Sequence, residues 1–246
     1  MLIIESHHFN NYPEIRFGFS TMVGHSRSAP FYFNLSLSVG DDSVNVEQNR
    51  ETFFRRLGLT KNSVAIQKQV HGDAITIVTQ PGTQGESDAM ITALPNIGLA
   101  ISSADCNAIF IYDVKEKVIA AIHSGWKSTV KRITEKTVLR LKTEFNSLGK
   151  NLVVYQAPSI SQMNYRVGAE VAGQFEERYL RHKGGATYLD VAAANYDMLT
   201  ENGVRKENIQ KSGICNYSAT KLLHSYRRDG EKSGRAFGVI ARIEKR

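Results

Sequence analysis

Hydrophobic positions along the chain alternate between short unbroken runs, a period of two and a helical period. Short apolar or alternating runs at 2–4, 15–19, 64–67, 74–78, 97–102, 108–112, 118–123, 152–157 and 236–243 predict strands. Val44, Val46, Phe53, Phe54 and Leu57, spaced among polar residues over 43–57, predict an amphipathic helix that Asp41, Asp42 or Ser43 caps and Gly58 ends. A second helical period, through Val130, Ile133, Val138, Leu139 and Leu141 to Phe145, starts just beyond Gly125. Two more helices are predicted, at 168–180 with Val171, Phe175 and Leu180 inward, and at 191–200, capped by Asp190 and stopped by Gly203. Gly, Ser, Asn and Pro make 22–42 a structured loop, 80–87 a connecting loop, and the stretch from Ile209 through Cys215 irregular. Intermixed strands and helices, with no repeat, linker or low-complexity tract, predict one α+β domain over residues 1–246.

Composition narrows the class. A chain of 246 residues with 41% hydrophobic content can bury a full core. Its 31 basic and 24 acidic residues leave a net charge of +7, but apart from Arg55-Arg56, Arg227-Arg228 and Lys245-Arg246 the positive charges are scattered. That pattern is a solvated basic surface with a modest pull on anions, and nucleic acid is not an expected partner. Two cysteines make no disulfide framework, which fits a reducing, cytoplasmic location. The opening run Met1-Leu2-Ile3-Ile4 meets Glu5 too soon for a signal peptide, and nothing approaches the ~20 apolar residues of a membrane span, so no membrane association is expected.

The chemistry gathers between Ile97 and Thr129. Cys106 lies just before the first strand of a predicted hairpin and His123 at the end of the second, so antiparallel pairing across the charged turn 113–117 brings them together. A thiol beside an imidazole is either part of a metal site or a nucleophile with its base. His71, at the end of an apolar alternating run and followed by Gly72, is a third candidate. Two imidazoles and one thiolate suit a zinc with an open fourth position. The bland alternative is two packed histidines and an inert buried cysteine, since no close pair such as C-x-x-C is present. Arg50 falls on the 43–57 helix, where a solvated arginine is the ordinary reading. Cys215, with no histidine beside it, reads as buried and inert. A helix starting just beyond Gly125 would aim backbone N–H groups toward the same site.

Further short motifs accompany these residues: Asn-Leu and Val-Gly-Asp in the 34–42 loop, Asn49-Arg50, Gln69-Val70-His71-Gly72, Asp88-Ala89, Ala104-Asp105-Cys106, His123-Ser124-Gly125-Trp126, Pro158-Ser159-Ile160, Val167-Gly168, Asn195, Ser225-Tyr226-Arg227-Arg228-Asp229-Gly230 and Gly234-Arg235. With them the chain resembles, over nearly its whole length, the laccase-domain (multicopper polyphenol oxidase-like) family of YfiH and YlmD type, associated with purine nucleoside phosphorylase activity. The resemblance implies mixed β-sheet layers flanked by helices, as in deamidase-toxin and cysteine-hydrolase-like folds. It implies a zinc site of His71, Cys106 and His123, which also serve as catalytic residues, with copper as another possible occupant. Asn34, Arg50 and Lys127 would bind substrate. The implied partners are a purine nucleoside and phosphate, the implied reactions phosphorolysis of adenosine, inosine and methylthioadenosine with adenosine deamination beside it, and the implied assembly a monomer or homodimer.

The chain departs from the family where Asn107-Ala108 replaces Val-Pro, where Ser124-Gly125-Trp126-Lys127-Ser128 replaces Ala-Gly-Trp-Arg-Gly, in lacking the cysteine pair often found within 158–165, and in carrying Asn216 where threonine is usual. Lysine at 127 substitutes a point charge for a bidentate fork. The H-x-E…P-C-x-x-C signature of zinc nucleobase deaminases is absent, and Asp105 is the nearest carboxylate in sequence. Two other classes compete: a Cys106/His123 hydrolase or amidase that edits a cell-wall precursor, and a copper-dependent polyphenol oxidase. The last is disfavoured because seven histidines fall short of the ten or so of true laccases.

Overall fold

The computed structural model describes residues 1–244, so the basic Lys245-Arg246 end lies outside the described residues. Two six-stranded mixed sheets stack face to face. In spatial order the first runs Ile3–Ile4, Ile15–Ser20, Ala236–Arg242, Gly98–Ser103, Val64–Lys68, Gly82–Glu86. The second runs Ile209–Lys211, Leu152–Gln156, Asn107–Asp113, Ile119–Ser124, Ala89–Thr92, Ile75–Ile77. Asn107–Asp113 is buried along its whole length, and the period of two explains how. Ala108, Phe110 and Tyr112 enter the core between the sheets with Phe17, Phe19, Leu99 and Ile240. Ile109 and Ile111 face the other way, onto Ile133, Val138, Leu141 and Leu199 of two helices. The outer face of the first sheet, through Ala100, Phe237 and Val239, is covered by Phe53, Phe54 and Leu57 at the end of the helix Ser43–Arg56. Helix, sheet, sheet and helix thus form four layers, the α+β arrangement of sheet layers flanked by helices that the resemblance implied.

Several local expectations hold for the reasons they were made. The Asp42 carboxylate accepts from the Val44 and Asn45 N–H groups at the start of Ser43–Arg56. Asp190 does the same for Ala193 at the start of the helix Val191–Glu201. The hairpin forms with Ala108 opposite His123 and Asn107 opposite Ser124.

Other expectations fail where long-range pairing overrides local signals. Residues 80–87 are not all loop: Gly82–Glu86 is an exposed edge strand parallel to Val64–Lys68, and an edge facing water on both sides carries no apolar period. The stretch from Ile209 is likewise an edge strand, Ile209–Lys211, parallel to Leu152–Gln156. Ala89–Thr92, with no strand expected, is a fully buried one. The helix expected at 168–180 is a single turn, Ala169–Ala172, after which Leu180–Lys183 and Ala186–Leu189 form a hairpin in a third, small sheet with Arg166–Val167. Its apolar residues pack into a separate cluster around Tyr179 and Leu189 instead of along one helix face. Beyond Gly125 the expected helix is two, Trp126–Val130 and Ile133–Phe145, broken at Arg132 with φ 59°. Among the described residues no helix is long and apolar enough to cross a membrane.

Candidate active site

Cys106 and His123 meet because the hairpin register puts them at the same end of the second sheet, one just before Asn107 and the other opposite Ala108. His71 joins them from the loop after Val64–Lys68 in the first sheet, with a left-handed backbone, φ 57°. Gln69 fixes that loop by exchanging two hydrogen bonds with Ser102, each 2.8 Å. The ligand atoms of His71, Cys106 and His123 all lie within 4.8 Å of one another, with His71 Nε2 3.9 Å from Cys106 Sγ.

Asp88 builds the site from beneath. Its fully buried carboxylate accepts from His123 Nδ1 at 2.8 Å and from the backbone N–H groups of His71 at 3.0 Å, Gly72 at 2.6 Å and Val70 at 3.2 Å. One side chain therefore fixes the His123 ring and the His71 loop together. Burial alone would raise the Asp88 pKa, but the bonds from His123 and Gly72 outweigh it and hold the carboxyl below its ordinary range. With Nδ1 bonded to Asp88, the Nε2 of His123 is directed at the thiol side. Sequence reading placed Asp88 in a motif without a role, since its partners are 16 to 35 residues away.

The electrostatics favour a charged pair. Burial pushes the Cys106 thiol up, yet the charge and hydrogen bond of His123, with His71 adding a second bond, bring it down to about 6. Burial lowers His123, and the Cys106 thiolate and Asp88 together lift it to about 9. A thiolate and two imidazoles are soft and borderline donors suited to zinc or copper. With every pair within 4.8 Å and His71 Nε2 to Cys106 Sγ at 3.9 Å, the ligand atoms need only a small inward shift to reach the edge of about 3.5 Å expected for a tetrahedral site with zinc-length bonds. Gly125 is part of this fit: a Cβ there would stand 2.9 Å from His71 Cδ2 and 3.0 Å from Cys106 Sγ. The residues present thus fit a metal ion.

While His123 faces a second cavity, His71 and Cys106 open onto one of about 570 Å³ lined by Trp126, Tyr165, Ile160, Val191, Tyr226 and Arg227 among others. Lys127 lines it too, its Nζ 5.6 Å from the Trp126 ring centre. Asp105 is its one carboxylate, with φ 97°, Oδ2 accepting from the Arg227 N–H at 2.6 Å and Oδ1 buried without a partner; burial raises its pKa. Arg50 lines the second cavity, on the other side of Cys106. Asn34 reaches neither: it is fully buried, its amide donating to Ser36 O and Asp41 Oδ2 and accepting from the Ser36 and Arg235 N–H groups. Direct substrate contact by Asn34 is therefore replaced by a structural role, because every amide atom is spent within the protein. Tyr165, Tyr226 and Arg235 at the cavities were not singled out from sequence, although the Ser225–Gly230 and Gly234-Arg235 motifs contained two of them. The substituted Ser124 is absorbed by a buried network with Thr129 and Asn195. Cys215 is partly exposed instead of buried, its Sγ accepting from Ser161 N at 3.3 Å.

Two stacked mixed sheets with helices outside are the fold of the YfiH hypothetical protein of Bacillus licheniformis, whose crystal structure superposes with a TM-score of 0.92 at 24% identity, covering 98% of this chain and 96% of that one. The family model described as multi-copper polyphenol oxidoreductase laccase matches residues 16–243, and the chain belongs to that family. Among curated relatives it is 35% identical over 227 residues to the purine nucleoside phosphorylase of Deinococcus radiodurans, covering 90% of this chain and 87% of the relative. It is 29% identical over 244 residues to adenosine deaminase RL5 of an unknown prokaryotic organism, covering 91% and 93%.

Proposed function

We propose that this chain is a zinc-dependent, cytoplasmic purine nucleoside phosphorylase acting on adenosine, inosine and methylthioadenosine, with adenosine deamination as a side activity. The opening of His71 and Cys106, two of the three clustered ligand candidates, onto an aromatic-walled cavity of about 570 Å³ carries the reading, a volume within the ~300–1,000 Å³ of small-molecule sites. The names of its relatives support it.

His71 Nε2, Cys106 Sγ and His123 Nε2 would hold the ion, which when bound supplies Lewis-acid charge at the cavity wall. Trp126 and Tyr165 offer flat apolar faces to a purine, and Arg227 stacks on Tyr165 with its guanidinium 5.0 Å from the ring centre. Lys127 adds positive charge at the same wall. Displacement at the anomeric carbon passes through an oxocarbenium-like state, so positioning and charge placement matter more than a covalent nucleophile. Asp88 serves by holding His71 and His123 in register.

The Cys106–His123–Asp88 chain of contacts supports a second reading, since it is also the order of a nucleophile, base and orienting carboxylate. The copper-oxidase reading has less behind it: among the described residues one three-ligand group is present, and an electron relay between several coppers needs more.

Metal content of protein purified without added metal, paired with hypoxanthine release from inosine with and without phosphate, separates these readings. About one zinc per chain and phosphate-dependent release are expected, with release reduced about 100-fold or more in His71→Ala. Metal-free protein that releases no base, yet is alkylated at Cys106 with a midpoint near 6, would overturn the phosphorylase in favour of the cysteine hydrolase.

A further inference from the structure

His71 and Cys106 stand between two cavities, and His123 lines only the second. The aromatic cavity and the second cavity, about 630 Å³, share only His71, Ala104, Cys106 and Tyr226. Both linings mix apolar and polar groups, but they place different ones: the first has the Trp126 and Tyr165 rings with Asp105, Lys127 and Arg227, and the second has Ser36, Ser38 and Ser102 with Arg50 and Arg235.

Both arginines hang from one segment. Arg50 donates from Nε to Leu35 O at 2.7 Å and lies over the Phe237 ring, with its side chain 13% exposed. The Arg235 N–H donates to Asn34 Oδ1 at 2.9 Å, and its carbonyl accepts from Leu35 N at 3.1 Å. Arg235 Nη1 caps Ser233 O and Gly234 O, which leaves Nε and Nη2 without a protein partner. Arg50 has Glu47 at 3.2 Å; Arg235, half-buried, has no carboxylate partner among the described residues. Lys68, also at this cavity, is neutralised by Glu86 at 2.8 Å. A half-buried guanidinium with two free donors and hydroxyls around it is matched to a tetrahedral oxyanion.

We propose that the second cavity is the phosphate subsite of the nucleoside phosphorylase reading, with Arg235 as its principal clamp and Arg50 beside it. The assignment rests on that reading and makes the separate cavities meaningful. In phosphorolysis a phosphate oxygen forms a bond to the anomeric carbon while the bond to the purine nitrogen breaks. The bonding pair leaves with the base, and the proton of hydrogen phosphate ends on that base. Entering and leaving groups lie on opposite sides of the carbon. Ribose spanning the shared wall would receive phosphate from the arginine side and release purine into the aromatic side. Asn34 then acts through Arg235, as a positioning residue.

Steady-state kinetics of the metal-loaded protein, varying phosphate and inosine separately, provide the test, together with calorimetric binding of inorganic phosphate alone. Arg235→Gln is expected to raise KM for phosphate at least about tenfold while KM for inosine stays within about twofold, and to abolish binding of phosphate alone. Arg235→Lys should recover part of both, and Trp126→Ala should show the reverse split. Arg50→Gln, tested in parallel, should repeat the phosphate effect should Arg235→Gln fail to fold. Phosphate binding lost in Arg235→Gln, in a protein that phosphorolyses no nucleoside, keeps the anion subsite and removes the phosphorylase reading. Phosphate-dependent base release with an unchanged KM for phosphate in both arginine variants, or with both KM values raised equally, overturns the subsite.

Discussion

Gly125 shows how one missing side chain can decide a site. Any Cβ at this position would press on the His71 ring and the Cys106 sulfur, and moving either side chain aside would take a ligand atom from its place, since Asp88 holds the His71 backbone and Cys106 directly precedes the paired Asn107. Gly125→Ala is therefore expected to lower metal occupancy and base release about tenfold or more while the fold persists, as read by metal stoichiometry beside a thermal melt. The pairing of Cys106 with His123 was legible in the sequence, because both belong to one hairpin of short loop. Their support by Asp88 was not, since an aspartate before an apolar strand carries no local mark of the four donors that converge on it. Asn34 misleads in the opposite direction: an asparagine in a motif-bearing loop invites a ligand role, and only its buried partners show that it holds Arg235.

Among elements, the contact between Ala236–Arg242 and Asn107–Asp113 locks the sheets together. Gly238 faces Phe110 so closely that a Cβ would lie 2.3 Å from its Cζ. Gly238→Ala should cost about 1–3 kcal/mol of stability in chemical denaturation, and Phe110→Leu in the same chain should recover part of it, a coupling a double-mutant cycle measures. Most strands with apolar residues on both faces announced themselves, the buried Ala89–Thr92 being missed, as did helices with a capping Asp and a stopping Gly. The edge strands Gly82–Glu86 and Ile209–Lys211 did not, because their pairing comes from parallel neighbours; the first is largely exposed, and the second is three residues long with only Ile209 buried. The small sheet was misread as helix because its apolar residues fall at nearly helical spacing while feeding a satellite cluster.

For the whole molecule, burial of His224, which packs behind Gly234 and Asn34, contributes to the acid limb of stability. His224 is 1% exposed, and burial pushes its pKa down to about 4 from 6.5. Between these values the unfolded chain carries the extra proton, so stability falls as pH drops from 6.5 to 4, by about 3 kcal/mol from this group. Glu14, held down to about 2 mainly by the Tyr112 hydroxyl and also by Lys117, adds a further loss as pH falls from 4.5 toward 2. Denaturation midpoints measured across this range should show a clearly shallower fall between 6.5 and 4 in His224→Gln; an unchanged slope would assign the acid limb elsewhere. What the sequence determined alone was carried by near neighbours: most of the buried strands, the capped helices, the hairpin that joins Cys106 to His123, and the class of chemistry those side chains allow. Tertiary structure decided the rest. Asp88 beneath the histidines, Arg235 tied to Asn34 across 201 residues, and two cavities that meet at His71 and Cys106 depend on contacts between distant segments, whose energy appears only once the sheets stack.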